Sequence, residues 1–284
     1  MQHLRSEKTG VSYTSTGEAD APLVVCLHGF PDIPRTWDPL TDVLVRSGFR
    51  VIAPWLPGYS PSFLDGPLDL PAVTRRLLAF IEELSPDVPV RLVGHDWGAF
   101  ITHVALSQKP DRFRAAAILS GPHPLVLEEN ISKFPQQLLR SSYIAFFQLP
   151  TVPERVIRVR DFAFIERLWK MWSPGFDPGT EYFDELKRCL RASMPAPLSY
   201  YRALRSPQVI REIGASLRTG PIPVPTLYLH GECDGCLGVE LIADQERYFS
   251  ALFETVRLVE AGHFLHLERP TEVNEAIQNW FLAH

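Results

Sequence analysis

Short apolar runs that stop at glycine or proline alternate along this chain with stretches whose apolar positions recur every three to four residues. PLVVCLHG (22 to 29) and RVIAPWLPG (50 to 58) are β-rich runs ending at a loop, the pattern of strands buried on both faces. Between them, Trp37, Leu40, Val43 and Leu44 share one face of a predicted helix over 35 to 47. Val73, Leu77, Leu78, Ile81 and Leu84 do the same over 70 to 84. VRLVG (90 to 94) leads through HDWG into a helical AFITHVALSQ, and FRAAAILSG (113 to 121) is a further strand. Strand and helix in alternation predict an α/β fold, a mostly parallel sheet with helices on both faces.

The pattern changes after Gly121. From about 125 to 215 the chain is rich in Pro, Arg and aromatic residues, with helical periodicity and no convincing strand, before PVPTLYLHG (223 to 231) and TVRLVEAGH (255 to 263) resume the earlier order. The expected organisation is one core domain, 1 to 124 and 216 to 284, interrupted by a helical cap (lid) over 125 to 215. No internal repeat or low-complexity segment interrupts this reading.

In an open parallel sheet, ligands sit at the carboxyl ends of strands, so the residues just after each strand carry the chemistry. Those residues are HGFP (28 to 31), WLPGYS (55 to 60), Asp96 in GHDWG, Asp234 in HGECDG and His263 in EAGHFLH. Asp96, Asp234 and His263 follow one another in the order nucleophile, acid, histidine, the chain order of the α/β-hydrolase triad. Gly94 and Gly98 flank Asp96 with the small residues that a sharp strand-to-helix turn needs. Asp96 also suits a helix N-cap, which is the plainer role of such a residue. His266 stands as an alternative to His263 and Glu232 to Asp234. His263 is favoured because it follows its strand directly on a glycine-flanked loop; an acid after the strand ending in LSGPHP is excluded because that loop offers no carboxylate before Glu128, which leaves the later loop, where motif position favours Asp234 over Glu232.

An aspartate at the elbow changes the reaction. A carboxylate is already nucleophilic at neutral pH, unlike serine, and its attack on a saturated carbon bearing a leaving group yields an ordinary ester on the protein. The histidine is then free to activate water against that ester, oriented by the second acid. The backbone N–H groups of Phe30 and Trp97 are expected to form the oxyanion hole. Two leaving groups fit: halide, or the oxygen of a strained epoxide, which needs an O–H donor such as tyrosine.

Composition narrows the partners. The chain has 284 residues, 45% hydrophobic, with a formal charge of -5 and a pI near 6.0. That balance gives no electrostatic reason to bind nucleic acid or an anionic membrane, and leaves small molecules as ligands. MQHLRSEKTG lacks the apolar core of a signal peptide and no apolar stretch reaches roughly 20 residues, so a soluble, cytoplasmic protein is expected. Cys26, Cys189, Cys233 and Cys236 read as free thiols. Cys233 and Cys236 form a CxxC with no second pair to complete a zinc site, so neither metal nor cofactor is expected.

The sequence resembles the epoxide hydrolases of the α/β-hydrolase fold over essentially its whole length. HGFP (28 to 31) matches their HGxP, GHDWGA (94 to 99) their nucleophile elbow, and GHFLHLERPTEVN (262 to 274) their histidine segment. YIAFFQLP (143 to 150) and LSYYRAL (198 to 204) resemble the two lid segments that carry tyrosine. The resemblance implies Tyr143 and Tyr201 as proton donors to an epoxide oxygen, Tyr201 rather than Tyr200 because the family's tyrosine precedes the arginine. It further implies Phe30, Trp97, Tyr143 and Tyr201 as substrate contacts, and a small apolar epoxide and water as reactants. A homodimer is left open. The chain departs from the family at WLPGYSPS (55 to 62), where an arginine often precedes the glycine. A haloalkane dehalogenase is the rival enzyme, although Phe30 stands where many of those carry a halide-binding asparagine; a fluoroacetate dehalogenase would have arginine in place of Trp97. A non-catalytic receptor on the same fold is the third reading, weakened by an apparently complete triad.

Overall fold

Strands β1 (Gln2–Arg5), β2 (Ser12–Thr16), β3 (Leu23–Leu27), β4 (Arg50–Pro54), β5 (Val90–His95), β6 (Phe113–Leu119), β7 (Thr226–Gly231) and β8 (Phe253–Leu258) form a single sheet in the computed structural model, which describes residues 1–284. Their order is β1-β2-β4-β3-β5-β6-β7-β8. The pairs β1–β2 and β2–β4 are antiparallel and all others parallel. Six of the eight strands fall within or against the predicted apolar runs. The last of them, β8, begins two residues before Thr255 and stops at Leu258, because the chain turns away at Val259.

The antiparallel pair β1–β2 has no counterpart in the sequence prediction. QHLR is exposed along its length, and SYTST is buried but polar. Hydrogen bonds replace apolar patterning there: Thr14 Oγ1 donates to the Ala53 carbonyl at 3.3 Å and Ser62 Oγ accepts from the Ser12 amide at 2.9 Å.

Alternation along each central strand divides the core. Val25 and Leu27 of β3 face the larger apolar cluster, whereas Val24 and Cys26 face the other. Helices α1 (Asp38–Arg46), α2 (Leu70–Leu84) and α3 (Trp97–Gln108) follow β3, β4 and β5. Asp69 caps α2 by accepting from the Ala72 amide at 2.9 Å, satisfying an otherwise orphaned donor. Leu40 and Leu44 of α1 bury against one face of the sheet; Val73 and Leu77 of α2, with Ile101 and Val104 of α3, bury against the other.

Every element between β6 and β7 is helical: α4 (Pro124–Asn130), α5 (Pro135–Arg140), α6 (Ser142–Phe147), α7 (Val152–Arg158), α8 (Ala163–Trp172), α9 (Thr180–Ser193), α10 (Ser199–Ala203) and α11 (Pro207–Leu217), with short 3-10 turns. Two more helices, α12 (Leu265–Glu268) and α13 (Pro270–Ala283), close the chain. Ile165, Leu168, Trp169 and Trp172 make one buried face of α8, and Tyr182, Phe183, Leu186 and Leu190 one of α9, the i, i+3, i+4, i+7 spacing of an amphipathic helix. These helices are fastened to the strand ends. Trp169 Nε1 donates to the Pro31 carbonyl at 3.0 Å, its ring stacks on Phe264 at 3.5 Å, and Tyr200 Oη donates to the Pro57 carbonyl at 2.7 Å. No helix is long and apolar enough to cross a membrane.

Candidate active site

β5 ends at His95 and α3 begins at Trp97, so Asp96 alone makes the turn between them. Its φ of 52° and ψ of -115° are a strained conformation for a residue with a side chain. The turn is possible because its flanks are bare. A Cβ on Gly98 would fall 2.2 Å from the Leu27 carbonyl oxygen, and one on Gly94 would fall 2.3 Å from that of Gly98. The Asp96 side chain makes no capping hydrogen bond to α3; it points instead across the strand ends.

Asp96 Oδ1 accepts the Phe30 N–H at 2.7 Å. Asp96 Oδ2 lies 3.5 Å from His263 Nε2. The amide of Trp97 opens α3, where an N–H has no carbonyl of its own helix to bond. His263 donates from Nδ1 to Asp234 Oδ2 at 2.8 Å, and Asp234 Oδ1 is held by the amides of Cys236 and Leu237 at 2.7 and 2.9 Å. The alternatives lie elsewhere. Glu232 pairs with Arg257 at 2.9 Å, while His266 Nε2 contacts Thr36 Oγ1 and its ring stacks on Trp37.

Three further contacts fix His263 and were not anticipated from the sequence. Its carbonyl accepts from both His95 Nε2 and Ser120 Oγ at 2.9 Å, and its amide donates to the Trp172 carbonyl at 3.0 Å. Only Nε2 is left without a partner. Ser120 follows β6 directly, so the strand-end rule that found Asp96 would have found it too; His95 precedes Asp96 in the same motif. Asp32, Tyr182 and His266 form a second buried cluster behind His95, with Tyr182 donating to Asp32 Oδ1. Burial pushes the Asp32 carboxyl up to about 7 and the His266 imidazole down to about 3.

The electrostatics of the histidine run the other way. Burial by itself would strip its proton, but Asp234 and then Asp96 more than offset that, raising His263 to about 10. Asp234 is held below the usual carboxylate range: burial opposes ionisation, and the charge and hydrogen bond of His263 win.

Tyr143 of α6 and Tyr201 of α10 meet over Asp96, their rings 5.7 Å apart and nearly perpendicular. Tyr201 is buried and its hydroxyl has no hydrogen-bond partner. Tyr143 Oη sits 3.5 Å from Cys236 Sγ. Burial keeps both phenols well above their ordinary value of 10, hence protonated. Phe30 packs edge-on against Tyr201 at 5.3 Å, and so does Trp97 at 5.1 Å. Asp96, Trp97, Tyr143 and Tyr201 all line a cavity of about 310 Å³ whose other walls are mainly apolar, among them Leu125, Ile144, Leu204 and Ile213. Size and character suit one small apolar molecule.

Comparison with known proteins agrees with this architecture. Residues 24–276 match the model of the alpha/beta hydrolase family. AB hydrolase superfamily protein YfhM of Bacillus subtilis is 30% identical, covering 97% of this chain and 96% of the relative. Epoxide hydrolase 4 of Homo sapiens is also 30% identical, over 97% of this chain and 77% of its own length. The crystal structure of an epoxide hydrolase from Bacillus megaterium in complex with an inhibitor superposes with a TM-score of 0.84 at 25% identity, covering 99% of both chains. The sheet order, the helical segment between β6 and β7 and these relatives agree: the chain belongs to the alpha/beta hydrolase family, in its epoxide-hydrolase branch.

Proposed function

We propose that the protein opens a small apolar epoxide to a vicinal diol through an ester on Asp96, with the helices of residues 125 to 215 acting as the cap that supplies the acid. The observation that carries this reading is the pairing of a buried, unpartnered Tyr201 hydroxyl with the Asp96 carboxylate on one apolar cavity. An unsatisfied buried hydroxyl is costly, and an epoxide oxygen would satisfy it.

The geometry supports the following roles. Asp96 Oδ2 attacks a ring carbon, the carbon–oxygen bond breaks, and the epoxide oxygen takes a proton from Tyr201 or Tyr143. Oδ1 becomes the carbonyl oxygen of the ester, already facing the Phe30 N–H. Esterification removes one of the two negative charges that keep His263 protonated, so the imidazolium gives its proton to the new tyrosinate and becomes a base at the moment a base is needed. His263 Nε2 then takes a proton from water, the hydroxide adds to the Asp96 carbonyl carbon, and the oxyanion on Oδ1 is stabilised by the amides of Phe30 and Trp97. Collapse passes the proton of the new Asp96 carboxyl to the departing diol oxygen and releases the diol, leaving Asp96 a carboxylate, His263 protonated and the phenol restored, as at the start.

Halide release would use the same carboxylate but leave both tyrosine hydroxyls without a task. Assaying diol formation from styrene oxide beside bromide release from a bromoalkane separates the two. Diol formation is expected to dominate, and bromide release without diol would overturn the proposal.

A further inference from the structure

Cys233 and Cys236 do not act as a pair: Cys233 is exposed, whereas Cys236 is buried against the catalytic groups. Oxygen, sulfur and nitrogen atoms of Asp96, Cys236 and His263 all lie within 4.8 Å of one another, and all three residues are buried. We propose that these three side chains bind a thiophilic divalent cation of the zinc class, and that the bound ion closes the pocket to substrate.

Four features support the site. The donor set, one thiolate, one imidazole and one carboxylate, is a zinc set, and three protein ligands leave a fourth position open to water from the cavity. Zinc–ligand bonds of roughly 2.0 to 2.3 Å place tetrahedral donors about 3.3 to 3.6 Å apart; Asp96 Oδ2 and His263 Nε2 already stand at 3.5 Å, and the Cys236 thiol lies within 4.8 Å of the donor atoms of both residues. His263 Nε2 is buried with no hydrogen-bond partner and faces this point. Behind it, Nδ1 donates to Asp234 at 2.8 Å, the carboxylate–histidine support that orients a metal-binding imidazole and raises its basicity.

Cys236 binds as the thiolate, so its proton leaves as the ion enters. The ion and the reaction then compete, because the oxygen that attacks and the nitrogen that activates water are both ligands. That consequence rests on the reaction proposed above; the binding itself does not.

The test uses the full-length chain freed of metal by chelation, with Zn2+ followed by calorimetry and Cd2+ by the ultraviolet charge-transfer band of a cadmium–thiolate bond. One ion per chain is expected, with the cadmium band retained in Cys233→Ala and lost in Cys236→Ala. Zinc affinity should fall more than about 100-fold in Cys236→Ala, beyond the usual loss on removing a supporting residue. Asp96→Asn provides a second variant at the cavity wall, with a large loss also expected, and thermal melting without metal checks that each variant is folded. No zinc binding by the wild type, or a cadmium band that follows Cys233, would overturn the proposal. So would unchanged affinity in Cys236→Ala and Asp96→Asn, which would move the ion to Asp32, His95 and His266. None of these readouts requires an epoxide, so a failure of the site and a failure of the proposed reaction are seen separately.

Discussion

Asp234 receives the Nδ1–H of His263 at 2.8 Å on one oxygen, while two backbone amides hold its other oxygen in place. These bonds hold the carboxylate in place and orient the imidazole. Asp234→Asn should therefore cost roughly 10²- to 10⁴-fold in turnover, the range seen when a histidine loses its orienting acid or its general-base role. Glu232→Gln, which only loses a pairing with Arg257 at the surface, should leave turnover unchanged and stability within about 0.5 kcal/mol. Steady-state kinetics of the two variants side by side would expose a wrong assignment if Glu232→Gln proved the more damaging.

Tyr201 has a buried hydroxyl with no partner, so removing it should not destabilise the fold. Tyr201→Phe is expected to melt at or slightly above the wild-type temperature while ring opening slows by about 10²-fold, and the double variant with Tyr143→Phe by about 10⁴-fold, the span of a general-acid contribution. A double variant that turns over epoxide at full rate would remove the phenols from the mechanism.

The raised His263 makes a prediction about stability. Its folded value is about 10 against 6.5 for the free imidazole. Below pH 6.5 both folded and unfolded chains hold the proton, and the attraction of the charged ring to Asp234 and Asp96 contributes in full. Between 6.5 and about 10 the unfolded chain has released its proton and the folded chain has not, so this contribution declines and is lost as pH passes the folded value. The stability of wild type relative to His263→Gln should accordingly shrink across that window in urea titrations. A constant difference would mean that the imidazole is not held charged.

How much of this was legible in the sequence depends on whether the signal is local. The GHDWGA elbow is legible because the turn imposes small residues at fixed offsets, and the central strands because burial on both faces demands continuous apolar runs. The β1–β2 pair is not, since its exposed and hydroxyl-rich residues are held by bonds to Ala53, Pro61 and Ser62 far along the chain. Tyr200 and Tyr201 look alike in LSYYRAL; on a helix, adjacent residues diverge by about 100°, sending the first to the Pro57 carbonyl and the second to the cavity. The contacts of His95, Ser120 and Trp172 with His263 span 168, 143 and 91 residues of chain, so no periodicity could reveal them. In the sequence Cys236 is half of a CxxC; only the fold shows it buried beside Asp96 and His263 while Cys233 stays exposed.

The central claim is a covalent ester on Asp96. Removing the base should let that ester form and persist, so His263→Gln incubated with styrene oxide and examined by intact-protein mass spectrometry should carry one epoxide per chain, mapped by peptide analysis to Asp96 and absent from Asp96→Asn. An unmodified His263→Gln chain, beside a wild type that hydrolyses the same epoxide, would contradict the account.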